Sequence, residues 1–485
     1  MQYDKKIQDI FARHPSVQVS GFSGRSYKAG IDSMLAFDAV LGSPWKSYRC
    51  IHVAGTNGKG SVSSMLAASL AASGLRVGLY TSPHLLDFRE RIKVVGESHC
   101  PGKPCRPRRG RGGTVNEVNG GVELQAPLGV QTSSTFSRAV APPTLIDKES
   151  VMEFLDCYEK EIESLSFFEI TTGMAFWWFE RQKVDVAVIE VELGGRLDST
   201  NVLTPVLSVV TSIGLDHCAM LGDTRPQIAL EKAGIFKSGV PALVWGHDPE
   251  TDGVFRAYAS EIAAPLHFAD EICAGSDDIN PDGMDLRGEY QALNVRTVLA
   301  ALSLLGVAPC LEALRHTATI TGLRGRWEIL QRNPVVICDI GHNPPALAWN
   351  FRQLEKMVSS DGTSTDSCGK RGSAEDASTP DSIPSEISAN RLIIVYGIMA
   401  DKALDDIAPL MPAGARYILC APDTPRALPA EILQTRLQAL RPDLSLETSP
   451  SVAEAVRTAL RLASPDTIIS LGGSTFVVAE ALLLF

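Results

Sequence analysis

One segment constrains the fold more than any other. The apolar run CIHVA (50–54) passes straight into the glycine-rich stretch AGTNGKGS, and a helical pattern then runs from about Ser61 to Ser73 and ends at Gly74. A short β-branched run without polar alternation is the mark of a strand buried on both faces, as in a parallel sheet. Similar runs recur at RVGLYT (76–81), VDVAVIEV (184–191), LSVVTSI (207–213) and PALVW (241–245). Helical periods intervene at 148–164, 169–182 and 224–237. Strand–helix alternation of this kind predicts an α/β fold with a doubly wound parallel sheet.

A second alternating series begins at VVICDI (335–340) and continues through LIIVYGI (392–398), RYILCA (416–421) and TIISLG (467–472). Between the series lie a helical stretch (288–305) and the Gly/Arg-rich TGLRGRW (321–327), so the expected domains are 1–321 and a smaller, Rossmann-like 322–485. Residues 98–142 and 359–390 are rich in Gly, Pro, Ser and charge and read as solvated insertions. For the Arg cluster at 106–111, an RNA or phosphate contact is the alternative to a plain insertion. A length of 485 residues suggests about three domains, and the insertions absorb the excess over two.

Other classes are disfavoured. A net charge of -11 argues against wholesale binding to nucleic acid or an anionic membrane. No apolar run reaches the roughly 18 residues of a membrane span. The opening MQYDKKIQDIFARHPSVQ has no apolar signal core, so a cytoplasmic location is expected. The ten cysteines are scattered without a CxxC pair, which reads as reduced thiols and gives no zinc site.

The chemistry starts at the loop. Its glycines let backbone N–H groups turn inward toward phosphate oxygens, the helix N-terminus adds partial positive charge, and Lys59 reaches the terminal phosphates. The spacing departs from the common G-x-x-x-x-G-K-[ST] pattern, because Gly60 separates Lys59 from Ser61. Glu190 ends an apolar strand at the place where α/β sheets hold ligands, and VELGGRLDSTN follows it at once. His217 ends another strand, and Lys232 lies on a helix with apolar neighbours. Each of these three is weak alone, with a solvated strand end, a structural histidine and a solvated lysine as the plain alternatives.

Together, HVAGTNGKGS, YTSPHL, FFE with T-x-x-x-AF, GGRLDSTN, GLDH, LGDT…IALEKAGIFK, GLRGRWE and DIGHNP occur in order. In this the chain resembles the folylpolyglutamate synthases and dihydrofolate synthases, the folate branch of the Mur-type ATP-dependent amide ligases. The resemblance runs from about Ile51 to the C-terminal GGSTFVVAE. It implies a P-loop ATPase domain followed by a glutamate-ligase domain. Thr56, Asn57, Gly58, Lys59, Gly60 and Ser61 would hold ATP, with Asn294, Arg326 and Asp339 contacting it across the interdomain cleft. Ser82, Glu190 and His217 would hold one or two magnesium ions, together with Lys232, the lysine this family carbamylates. Ser166, Phe167, Phe168, Glu169, Leu197, Asp198 and Ser199 fall where the pterin is held. His342 would steady the γ-phosphate, with helix capping or packing as its other reading. Oxygen donors suit magnesium, and carbamylation needs a neutral amine, which a dry site favours.

The implied reaction joins L-glutamate to a pterin-linked carboxylate through an acyl phosphate made from Mg-ATP. The expected partners are therefore ATP, L-glutamate and dihydropteroate or tetrahydrofolate, with a monomer sufficient. Bifunctionality is favoured over dihydrofolate synthase or folylpolyglutamate synthase alone. Two other classes stay open: a peptidoglycan Mur ligase, against which FFE and GGRLDSTN speak, and a non-catalytic nucleotide-binding relative. The second is motivated by the insertions and by Glu192, which stands where the family usually has glycine. Glu192 is expected to face solvent rather than to add charge beside Glu190. A second departure is Tyr290, where many relatives have histidine.

Overall fold

The computed structural model describes residues 2–15, 30–96, 140–274, 283–360 and 391–485. The expected insertions fall outside the described residues except for 140–142 and 359–360, as do the 106–111 arginines and Cys100, Cys105 and Cys368. The chain divides into two compact units, 1–286 with 290–323, and 287–289 with 324–485.

Unit 1 is built on an eight-stranded sheet. Its strands are β1 (Arg49–Ala54), β2 (Val77–Tyr80), β3 (Ile92–Val95), β4 (Thr144–Leu145), β5 (Val186–Glu190), β6 (Leu207–Val210), β7 (Ala242–Val244) and β8 (Leu266–Phe268). They lie in the order β4-β3-β2-β5-β1-β6-β7-β8. Strands β2, β5, β1, β6, β7 and β8 are parallel, and β3 and β4 add an antiparallel edge. Alternate residues of each strand enter different cores, as the period of two requires. Ile51, Val53, Val186 and Val188 pack with helix Lys59–Ala72 and helix Gln291–Leu304. Cys50, Ala187 and Ile189 pack on the opposite face with Phe154, Phe176, Trp178 and Phe179, the last three from helix Phe167–Arg181. Both faces are covered, which is why these strands read as unbroken apolar runs.

The connection from β1 leads to β2, beyond β5, whereas the connection from β5 leads to β6, beyond β1. The chain therefore leaves the neighbouring carboxyl ends of β1 and β5 in opposite directions, opening a crevice there. The loops after β1, β2, β5 and β6 all emerge on this edge.

Unit 2 holds β9 (Glu328–Arg332), β10 (Val335–Cys338), β11 (Leu392–Tyr396), β12 (Arg416–Leu419), β13 (Ser445–Thr448) and β14 (Ile468–Gly472). Their order is β13-β12-β11-β14-β10-β9, parallel except for β9. Its core gathers Ile337, Leu354, Ile394, Tyr396, Tyr417 and Leu433. Strands β3, β4, β8, β9 and β13 were not among those expected from the sequence. Lys93 interrupts β3, β4 is two residues long, β8 has a single buried position, and β9 and β13 are edge strands with no fully buried position, so none carries a continuous apolar run.

Candidate active site

The expected phosphate loop is held by contacts beyond its own sequence. Gly55 and Gly58 have φ of 148° and 90°, a region costly for any residue with a Cβ. A Cβ on Gly55 would sit 1.8 Å from Thr211 Oγ1, and one on Gly58 would sit 2.3 Å from Asn294 Oδ1. The loop is fastened to the end of β6. Thr56 N donates to Ser212 O at 2.8 Å, and Thr211 Oγ1 and Ser212 Oγ donate to Asn57 O at 2.7 and 3.1 Å. Helix Lys59–Ala72 starts from Gly58 with no side-chain cap, leaving its first-turn N–H groups oriented for an anion.

Two lysines converge on one carbonyl. Lys59 Nζ donates to Gly55 O at 3.1 Å and Lys232 Nζ to the same oxygen at 2.8 Å. Lys232 is buried. Burial, reinforced by the Lys59 ammonium, pulls its amine from 10.5 down to about 7. A lysine in that state is the neutral nucleophile that carbamylation needs. Gln291, which the sequence reading passed over, links two other site residues. Its Nε2 donates to Ser61 Oγ at 3.2 Å and its Oε1 accepts from Asn294 Nδ2 at 2.8 Å. The three-residue spacing of Gln291 and Asn294 places both on one helical face and was the available signal.

Glu190 is buried at the end of β5 and accepts from Ser82 N at 3.3 Å. The sheet thus brings these two expected metal ligands together from the ends of β2 and β5. His217 caps a short helix at φ 53°, and its N–H donates to Asp216 Oδ1 at 2.9 Å. Among the described residues no three His, Cys, Asp or Glu side chains group as a metal site. The expected set contains only two residues of those types, the others being a hydroxyl and a modified lysine. Its donors are oxygen-rich, which suits a hard divalent cation.

The expected pterin segments carry their own architecture. Ser166 caps helix Phe167–Arg181 in a capping box, with Ser166 N donating to Glu169 Oε2 at 2.7 Å and Glu169 N to Ser166 Oγ at 3.3 Å. The S-x-x-E pattern was legible as a helix start and was not read as one. Phe167 is buried beside Phe88, and Phe168 packs edge-on against Phe167. Asp198 Oδ2 accepts from Glu192 N and Leu193 N, and Oδ1 accepts from Thr200 N and Oγ1. Its carboxylate shapes the loop that carries Leu197 and Ser199. Ser199 Oγ lies 2.7 Å from Thr172 Oγ1.

Glu192 does not face solvent. Its side chain is 2% exposed and pairs with Arg91, itself fully enclosed, at 2.6 Å. The reason is tertiary: the loop from β2 to β3 delivers a buried guanidinium opposite Glu192 that requires a counter-charge. Glu192 is not among the positive-φ residues, so the loop has no need of glycine there. Tyr290, the other departure, precedes helix Gln291–Leu304 as its N-cap.

In unit 2, Asp339 organises the segment around Arg326. Its Oδ2 accepts from Trp327 N at 2.8 Å, and its Oδ1 accepts from Gly341 N at 2.7 Å and Asn350 Nδ2 at 2.8 Å. Arg326 Nη1 donates to Gly325 O at 3.3 Å. His342 Nδ1 lies 3.0 Å from Ile340 O, a contact that places the proton on Nδ1. Helix capping belongs to its neighbour, because Asn343 Oδ1 accepts from Ala346 N.

A family model described as the Mur ligase, glutamate ligase domain matches residues 378–475. A folylpolyglutamate synthase of Lacticaseibacillus casei is 30% identical over 80% of this chain and 81% of its own length. A probable bifunctional folylpolyglutamate synthase/dihydropteroate synthase of Haloferax volcanii is 31% identical over 94% of this chain and 48% of its own length. The chain thus spans about half of that relative. The Escherichia coli FolC structure with DHPP and ADP superposes with a TM-score of 0.69 at 25% identity, covering 99% of this chain and 97% of that one. A bifunctional folylpolyglutamate synthase/dihydrofolate synthase with Mn, AMPPNP and L-glutamate bound gives 0.67 at 25% identity, over 94% of each chain.

Proposed function

We propose, since the chain belongs to the folylpolyglutamate synthase/dihydrofolate synthase family, that it is an ATP-dependent ligase joining L-glutamate to the carboxylate of a pterin or folate. Both dihydropteroate and tetrahydrofolate are proposed as acceptors. The observation that carries this reading is the phosphate loop after β1, with Lys59 and Lys232 on the Gly55 carbonyl and Glu190 at the end of the adjacent strand. In this reading 1–321 binds ATP and the pterin, and 322–485 is the glutamate-ligase domain.

The acceptor carboxylate attacks the γ-phosphorus of ATP, and ADP leaves. The glutamate amine then attacks the resulting acyl phosphate, the amide C–N bond forms and inorganic phosphate departs. Residues 56–61 cradle the phosphates, while Lys59 and Arg326 spread the charge that builds on the transferring oxygens. Asn294, Asp339 and His342 are assigned to ATP, and residues 166–169 and 197–199 to the pterin. Ser82, Glu190 and His217, with Lys232 as its carbamate, would hold a divalent cation, which supplies charge neutralisation at the phosphates.

The test is ADP release by the purified protein, which should require dihydropteroate and L-glutamate together. Replacing dihydropteroate by tetrahydrofolate separates the two activities. A folded protein that binds ATP and shows no turnover with either acceptor removes the ligase reading.

A further inference from the structure

The Arg91–Glu192 pair places two opposite charges inside unit 1, with side chains 0% and 2% exposed. Arg91 donates from Nη1 to Glu192 Oε1 at 2.6 Å and from Nε to His84 Nδ1 at 2.9 Å, and its guanidinium carbon lies 5.1 Å from the Phe167 ring centre. Tyr80 donates its hydroxyl to the same Glu192 oxygen at 2.5 Å and also meets Thr171 Oγ1 at 3.0 Å. Glu192 N donates to Asp198 Oδ2 at 3.1 Å. Glu192 Oε2 is buried without a hydrogen-bond partner. Two charges enclosed in this way, one with an unsatisfied oxygen, are a poor means of gaining stability compared with apolar side chains of similar volume.

The pair joins three segments that come from distant parts of the chain: the stretch from His84 to Arg91, the loop after Glu190, and the start of helix Phe167–Arg181. The contacts just described reach Phe167 and Asp198, whereas the phosphate loop is held by Thr211, Ser212 and Lys232. We propose that Arg91 and Glu192 are positioning residues for the pterin acid, fixing Phe167 and the Asp198 loop in the arrangement that receives it, without bearing on nucleotide binding. This rests on the reading that residues 166–169 and 197–199 meet the pterin.

The test is calorimetric titration of the full chain with dihydropteroate and, separately, with a non-hydrolysable ATP analogue. The proteins compared are wild type, E192Q, and R91M/E192M, which removes both charges and strands neither. Both variants should bind dihydropteroate about tenfold more weakly or worse and the ATP analogue as wild type does, and the double variant should melt no lower than wild type. A double variant with wild-type affinity for dihydropteroate, or one that loses both ligands equally, overturns the positioning role. Wild type that fails to bind dihydropteroate overturns this role and the pterin reading together, so the two failures are told apart.

Discussion

Lys232→Met tests the energetics of the phosphate loop. The side chain is buried, and its amine stands at about 7 instead of 10.5 because of burial and the Lys59 charge. Between those values the unfolded chain holds a proton that the folded chain does not. Stability of the unmodified protein therefore rises with pH across that window and is lost again as pH falls toward 7. At ~1.4 kcal/mol per pH unit, the cost of keeping this lysine buried at pH 7 is on the order of 4 kcal/mol. Methionine has a similar length and no charge, and Gly55 O keeps its hydrogen bond from Lys59. Allowing about 1 kcal/mol for the lost Nζ hydrogen bond, the variant should be about 2–4 kcal/mol more stable than wild type at pH 7. The gap should narrow by about 2–3 kcal/mol on going to pH 9.5. Urea unfolding in carbon-dioxide-free buffer, followed at both pH values, reads this directly. A variant no more stable than wild type at pH 7, or a gap that ignores pH, refutes the reasoning. The same variant should lose ligase turnover if the lysine acts as a carbamate.

Two further perturbations address the loop and the second unit. Gly55→Ala places a Cβ against Thr211 at a φ of 148°, and the fold should survive while affinity for an ATP analogue drops by about tenfold or more. Unchanged affinity in a binding titration would mean the loop geometry is not what holds phosphate. Asp339→Ala leaves Trp327 N, Gly341 N and Asn350 Nδ2 without their acceptor. It should cost about 2–4 kcal/mol in denaturant unfolding followed by circular dichroism. A change below about 1 kcal/mol would show that water replaces the carboxylate.

Much of the fold was legible because parallel strands buried on both faces need no partner to be recognised. CIHVA, VDVAVIEV and LIIVYGI announce themselves by composition alone. The boundaries were looser: the helical period at 148–164 divides into Lys148–Cys157 and Glu159–Ile162, and that at 224–237 contracts to Arg225–Ala233. In the site, the glycine-rich loop, Lys59 and Glu190 stood out because each sits directly beside a strand end. Gln291 and Thr211 did not, because their roles come from the residues they face across the fold.

The long buried strands and the glycine-rich turn after β1 were readable from the chain alone, since each depends on neighbours within a few residues. The surroundings of individual charges came from the three-dimensional packing. Glu192 was expected in water and lies enclosed against Arg91, 101 positions away in the chain. Lys232, for which a solvated helical lysine was the plain alternative, has its amine pulled down to about 7 by burial and by Lys59. The physical reason is the same in both cases. Whether an ionisable group is hydrated, paired or desolvated depends on what the fold packs around it, and the residues that do so are distant in sequence.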